Sequence, residues 1–223
     1  MDLRLAEALA TDLRPASRLT RDLPMTYVTV PDKTAGDVFT EAMWDTYLRD
    51  NLNIGVDRAI ADQALGSAAS SIDFTSIPGT FAHLLVVLHA RSDTAANQQL
   101  VSLRMNNDSG TNYSVWGVRS TDAAITTTGG AAATSAACGV IPAASMGAGM
   151  FGTTVLLLSN YAAAVNVKPF VALSGAYFTT GDMFKTLGGY WFSGNAINRL
   201  TFLPAANNFV AASRATIYGL GAV

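Results

Sequence analysis

FAHLLVVLHA RSDTAANQQL VSLRMNNDSG TNYSVW, residues Phe81 to Trp116, is the stretch whose reading decides the fold. Short apolar runs alternate with polar turn material, the pattern of successive β-strands rather than of a helix. In the first run, Phe81 to Ala90, Leu84, Val86 and Leu88 fall on one side and His83, Leu85, Val87 and His89 on the other. Both sides are largely apolar, which predicts a strand covered on both faces or lying centrally in a sandwich. Asn106 to Gly110 then supplies side chains that bond locally to backbone and a glycine tolerant of positive φ, before the next run opens at Tyr113.

Working outward, strands are expected at Ser71 to Phe74, Leu100 to Met105, Tyr113 to Val118, Gly152 to Ser159, Val165 to Leu173, Gly188 to Phe192, Ile197 to Leu203 and Arg214 to Leu220. Pro169 interrupts a regular ladder and assigns its strand to an edge or a bulge. The Thr, Gly and Ala tract from Thr126 to Ala137 buries little area per residue and reads as a loop, a character that continues through Phe151. Eight to ten short strands with Gly, Asn and Pro connections make the chain mainly β, with a β-sandwich or jelly-roll-like body.

The amino-terminal region differs. More than half of the charged residues lie in the first 62 positions. Thr40 is a helix N-cap followed by EAMWDTYLRDNL, in which Met43, Trp44, Tyr47, Leu48 and Leu52 form an apolar stripe and Asp45 and Arg49 an i,i+4 pair. That stripe packs either beneath its own sandwich or against a neighbouring subunit. Val56 to Ala69 reads as a short helix or an ordered arm. A soft boundary near Ser67 to Ser71 divides the chain into an arm and helical attachment region, 1–70, and a β-sandwich body, 71–223.

Half of the residues are hydrophobic and only 13% are charged, against about 25% in an ordinary soluble domain. Either subunit contacts hide part of the surface, where charge is depleted, or the surface is uncharged and solvated. A net charge of -2 gives no field for direct nucleic-acid binding and no polybasic membrane anchor. The start, MDLRLAEALA, lacks an apolar signal core, and no run of 18 uninterrupted apolar residues predicts membrane insertion, so assembly in cytoplasm is the simplest expectation.

Candidate chemistry is sparse. Cys138 is the sole cysteine, which precludes an intramolecular disulfide. His83 and His89 share one side of a strand but stand about 20 Å apart, too far to hold one metal ion. Glu7 and Glu41 are the only glutamates, and neither a GxSxG nor a GxxxxGK[ST] sequence occurs. Gly147 to Gly152 has GxGxxG spacing without a preceding strand in a βαβ unit. No catalytic, metal or cofactor site is therefore expected. Tyr177, Phe178, Tyr190, Trp191 and Phe192 either face water as a glycan platform or fill the core and subunit contacts.

Taken in order, several segments resemble structural proteins of tailed-bacteriophage virions, the β-sandwich family of minor tail, fibre and capsid decoration components. They are Trp44 to Leu52 (WDTYLRDNL), Arg91-Ser92-Asp93 leading to Asn106 to Tyr113, Asn160-Tyr161, Trp191, Ile197 to Leu200 and Ser213 to Leu220. The resemblance implies a non-enzymatic virion protein assembled in the bacterial cytoplasm. It also implies a sandwich fastened by a helix and arm to other virion proteins, with copies of itself in a trimer. A host-surface glycan or receptor is the external partner of such a body. Capsid decoration, cementing the shell, is the alternative to a tail or fibre position, and a glycan-binding or glycan-cleaving module is the reading of a different class.

Overall fold

The structure is a computed structural model that describes residues 59–121, 124–164, 167–179 and 182–222. The expected arm region up to residue 58, with the helix carrying Met43, Trp44, Tyr47, Leu48 and Leu52, lies outside the described residues. Among the described residues twelve strands follow one another: β1 (Ala59–Ala64), β2 (Ile72–Phe74), β3 (Phe81–Ala90), β4 (Gln98–Met105), β5 (Tyr113–Thr121) and β6 (Ile125–Ala133), then β7 (Ala136–Pro142), β8 (Gly152–Ser159), β9 (Lys168–Gly175), β10 (Asp182–Trp191), β11 (Leu200–Pro204) and β12 (Arg214–Ala222). They pair antiparallel in an eight-stranded sheet, β1-β12-β3-β8-β9-β10-β5-β6, and a four-stranded sheet, β2-β11-β4-β7. The mainly β expectation is met as a two-sheet sandwich.

Period-two alternation builds the layer between the sheets. Leu84, Val86 and Leu88 of β3, Leu156 and Leu158 of β8 and Ile217 of β12 point inward against Val101, Leu103 and Met105 of β4 and Phe202 of β11, all essentially inaccessible to solvent. Each such aliphatic side chain contributes roughly 1.5–3 kcal/mol by leaving water. β3 pairs with both β12 and β8, so its central placement matches the expectation from its apolar run.

Four expectations are corrected. The tract from Thr126 to Ala137 is not a loop: it forms β6 and the start of β7. β6 is a largely exposed edge strand held by its pairing with β5, and only beyond the tract, at Gly139 of β7, does close approach demand a small residue, since a Cβ there would lie 2.2 Å from Thr154 Oγ1. There the two sheets touch through backbone and hydroxyls. Ser174 Oγ accepts the Val140 N–H at 2.9 Å and donates to the Val140 carbonyl at 3.0 Å, while Thr154 Oγ1 donates to Ser174 Oγ at 3.0 Å. β9, which holds Pro169, is interior rather than an edge, but the β8 ladder ends at Leu158↔Phe170, so Pro169 has no β8 partner requiring its amide. Ala59–Ala64, within the stretch read as a short helix or arm, is strand β1 paired with β12, so the sheet extends across the expected boundary near Ser67. In the turn after β4, positive φ falls on Asn106 and Asn107 (52° and 57°) rather than on Gly110.

Candidate functional site

The five aromatic candidates separate into two classes and two places. Phe178 and Trp191 are buried, Phe178 with Val140 and Met146, whereas Tyr177 and Phe192 are 63% and 67% exposed. Tyr190 stands beside Phe192 with ring centroids 6.4 Å apart, at the end of β10 that pairs with Lys168 and Pro169. Tyr177 follows the opposite end of β9, so the exposed rings do not form one platform.

Trp191 has a structural task. Its indole N–H donates to Asp108 Oδ2 at 2.7 Å, beside the Asn112 Nδ2 donor at 2.8 Å, while Gly110 N–H reaches Oδ1 at 2.8 Å. The indole hydrogen bond, with the Asn112 and Gly110 donors, outweighs partial burial and holds the Asp108 carboxyl below its usual range. Tyr113 closes the same turn, donating to the Asp108 carbonyl at 3.1 Å and accepting the Met105 N–H at 3.0 Å. The Asn106 to Tyr113 segment is thus a self-bonded corner between the two sheets.

The other singled-out residues are likewise engaged. Arg91 donates through Nη2 to the carbonyls of Ala144 and Met146, and Asp93 accepts from Asn208 N and Nδ2 at 2.8 and 3.1 Å. His83 Nδ1 accepts the Asn160 N–H, and His89 stacks on Phe151 at 4.9 Å. Cys138 is buried, and burial pushes its thiol up to about 12, so it is protonated and shielded. Gly147 to Gly152 leads into strand β8, not into a helix. Among the described residues no group of three or more His, Cys, Asp or Glu could hold a metal ion. Lys168 and Lys185 are buried on the inward sides of β9 and β10, and both have interaction partners. Desolvation pushes Lys168 below its ordinary value.

Two surface features are hidden from the linear sequence. The first is a repeated clamp on edge strands. Asp62 of β1 receives Arg214 Nε and Nη2 at 2.7 and 2.8 Å and Thr216 Oγ1 at 2.7 Å. Asp73 of β2 receives Arg199 Nε and Nη2 at 2.9 and 2.6 Å and Thr201 Oγ1 at 2.5 Å. Each clamp joins an edge aspartate to an Arg-x-Thr sequence on or beside the neighbouring strand. Burial pushes Asp73 up, but the Arg199 and Thr201 hydrogen bonds and the guanidinium charge together prevail and hold it low.

The second feature is a contrast between the outer faces. On the small sheet, Asp73, Thr201 and Arg104 make a polar row across β2, β11 and β4. On the large sheet, register places Trp116, Gly188, Val171, Leu157, Leu85 and Tyr218 in one row across six strands. The adjoining row is Val118, Thr186, Leu173, Val155, Val87 and Thr216. Across these six strands neither row carries a charge; on β1 the second row continues at Asp62, whose ion pair with Arg214 lies at that edge of the face. Trp116, Val171 and Leu173 are 51%, 53% and 49% exposed, and a Cβ on Gly188 would meet open space.

The class defined by the described residues is an all-β, two-sheet sandwich with clamped edges and exposed apolar residues on one outer face. No family model matches the chain, and no curated protein matches it. Among solved structures, the chain is similar to an exo-inulinase from Aspergillus awamori at 13% identity and a TM-score of 0.37, over 77% of this chain and 31% of that one. At that level the likeness carries no argument about activity.

Proposed function

We propose that this chain is a non-enzymatic structural protein of a tailed-phage virion, a minor tail or fibre component that assembles through its amino-terminal region and presents its sandwich body outward. The order of motifs from Trp44 to Leu220 supports the family assignment. The observation that carries the mechanical part is the clamp on β1. The region preceding Ala59 enters the body through an edge strand that pairs along β12 and is fastened by Asp62 to Arg214 and Thr216. Force or docking at the amino-terminal region is thereby passed to a strand bonded into the sheet, not to a loose loop. The partners in this reading are other copies of the chain, other virion proteins and a host-surface glycan or receptor, with repeated copies raising the effective concentration of weak contacts.

Removing residues 1–33 and measuring incorporation into particles tests the reading. Incorporation is expected to fall while the body still folds; unchanged incorporation would count against an amino-terminal anchor. Density assigning the copies to capsid symmetry axes would move the chain to the capsid decoration class. Turnover of host-surface glycans, abolished by replacing an aspartate in a cleft, would overturn the non-enzymatic assignment.

A further inference from the structure

The outer face of the eight-stranded sheet exposes Trp116, Val171 and Leu173 together. Solvated sheet faces alternate apolar residues inward with polar residues outward, and the small sheet obeys this with its Asp73, Thr201 and Arg104 row. The large sheet does not. Its two central rows are uncharged across six strands, and their most open members, Val171, Leu173 and Trp116, cluster on β9 and β5 with the glycine gap at Gly188 between them. Contiguous exposed apolar patches beyond a few hundred Å² mark interaction sites on soluble proteins.

Size decides between the candidate occupants. Eight strands spaced about 4.8 Å apart, each offering three or four outward residues, give a face of roughly 700 Å² in projection. The chain's own stripe from Met43 to Leu52 is within reach, because residues 53–58 can span about 20 Å from the edge strand β1. As a helix over residues 41–52, however, it would be roughly 18 Å long and 10 Å wide, covering about a quarter of the face. A stable protein interface takes about 800 Å² from each partner, close to the whole face. The six strands from β12 to β5 carry no charge in the two central rows, and the Asp62–Arg214 pair at the β1 edge is internally neutralised, so the face meets its own copy without net like-charge repulsion.

We propose that a second copy of this chain packs its sheet against this face, with Val171, Leu173, Trp116 and Tyr190 at the centre of the contact. The proposal rests on the reading of the chain as an assembling protein and names the assembling surface. It is tested in solution, so its failure is distinguishable from a failure of particle incorporation.

The purified full chain is examined by sedimentation velocity over a range of concentrations, alone and as the Val171→Lys, Leu173→Lys double variant. Association at micromolar concentration is expected for the unchanged chain, weakened at least tenfold in the double variant. Leu100→Lys, an exposed position on the small sheet, should leave association unchanged. A second readout avoids reliance on the charged variant's folding. In Val171→Cys, labelling by a water-soluble maleimide should slow as concentration rises, with the buried Cys138 silent. A chain that stays monomeric, association undiminished in the double variant, or labelling independent of concentration would each overturn the proposal. A monomeric Val171→Cys chain whose introduced thiol is blocked at every concentration would overturn it too, and would give the face to the chain's own amino-terminal segment instead.

Discussion

Replacing Ser174 with alanine tests how the two sheets are joined. The Ser174 hydroxyl is buried and makes three hydrogen bonds: it accepts from Val140 N and Thr154 Oγ1 and donates to Val140 O. β7 is an edge strand of the small sheet, so these Val140 groups have their partner in Ser174 and not in another strand. Ser174→Ala strands a buried N–H and C=O, which costs about 1–3 kcal/mol, and removes hydrogen bonds of about 1 kcal/mol each. The vacated space is too small for a compensating water, because the Ala Cβ stays in place. A loss of about 3 kcal/mol is therefore expected, which in a body of this size lowers the melting midpoint by roughly 6–12 °C. Thr154→Val, which removes one donor while keeping shape, should lose about 1 kcal/mol, and the pair should be coupled in a double-mutant cycle. Urea unfolding followed by tryptophan fluorescence gives the numbers, with an unchanged m-value showing that only stability moved. A Ser174→Ala change within about 0.5 kcal/mol of wild type, the range of an inert surface substitution, would refute the bridge.

Acid should weaken the body through Asp73 and Asp108. Both carboxyls are held below their usual range in the folded chain, so their stabilisation is complete above the unfolded carboxylate value of about 3.9 and is lost as pH falls through the folded values. Unfolding midpoints measured from pH 7 down to pH 2 should fall mainly at the acid end, and Asp73→Asn with Asp108→Asn should flatten the profile; an unaltered profile would contradict the clamps. Trp191→Phe keeps the core ring but removes the donor to Asp108, with an expected loss of about 1–2 kcal/mol by the same denaturation assay. Cys138 should resist a thiol reagent in the folded chain and react on addition of denaturant, since its thiol is buried and protonated.

How much of this is legible in the sequence depends on which residues must be compared. β3 is legible because its apolar run is long and local, and the parity of Tyr190 and Phe192 against Trp191 is legible for the same reason. Which side of that parity is the core is not, since it depends on the stacking of β10 against the small sheet. The tract of β6 misleads because its small side chains do bury little, yet backbone pairing with β5 holds it as a strand; in β7, Gly139 is small so that Thr154 and Ser174 can approach. The clamps join Asp62 to Arg214 and Asp73 to Arg199 across separations of 152 and 126 residues, and no local pattern exposes such pairs. The outer face is obscured most. Leu85 and Val87 alternate with core residues, so an apolar surface imitates a strand buried on both sides.

The clamps and the apolar face act together on how copies of the chain can meet. An exposed edge strand offers unpaired amides to any other strand, the ordinary route to uncontrolled sheet growth. Here β2 is only three residues long and fastened through Asp73, β1 is fastened through Asp62, and the outward amide of β7 at Val140 is taken by Ser174. On the opposite end of the large sheet, β6 carries a register irregularity against β5. Each device makes edge-to-edge pairing less favourable while leaving Val171, Leu173 and Trp116 open on the face. Association driven by those side chains has a fixed area and a fixed orientation, and it closes when the face is filled. An edge-driven assembly has no such limit. A face-driven contact of this kind is limited by the side chains that make it, and the absence of charge from the two central rows between β12 and β5 favours it over pairing at the clamped edges.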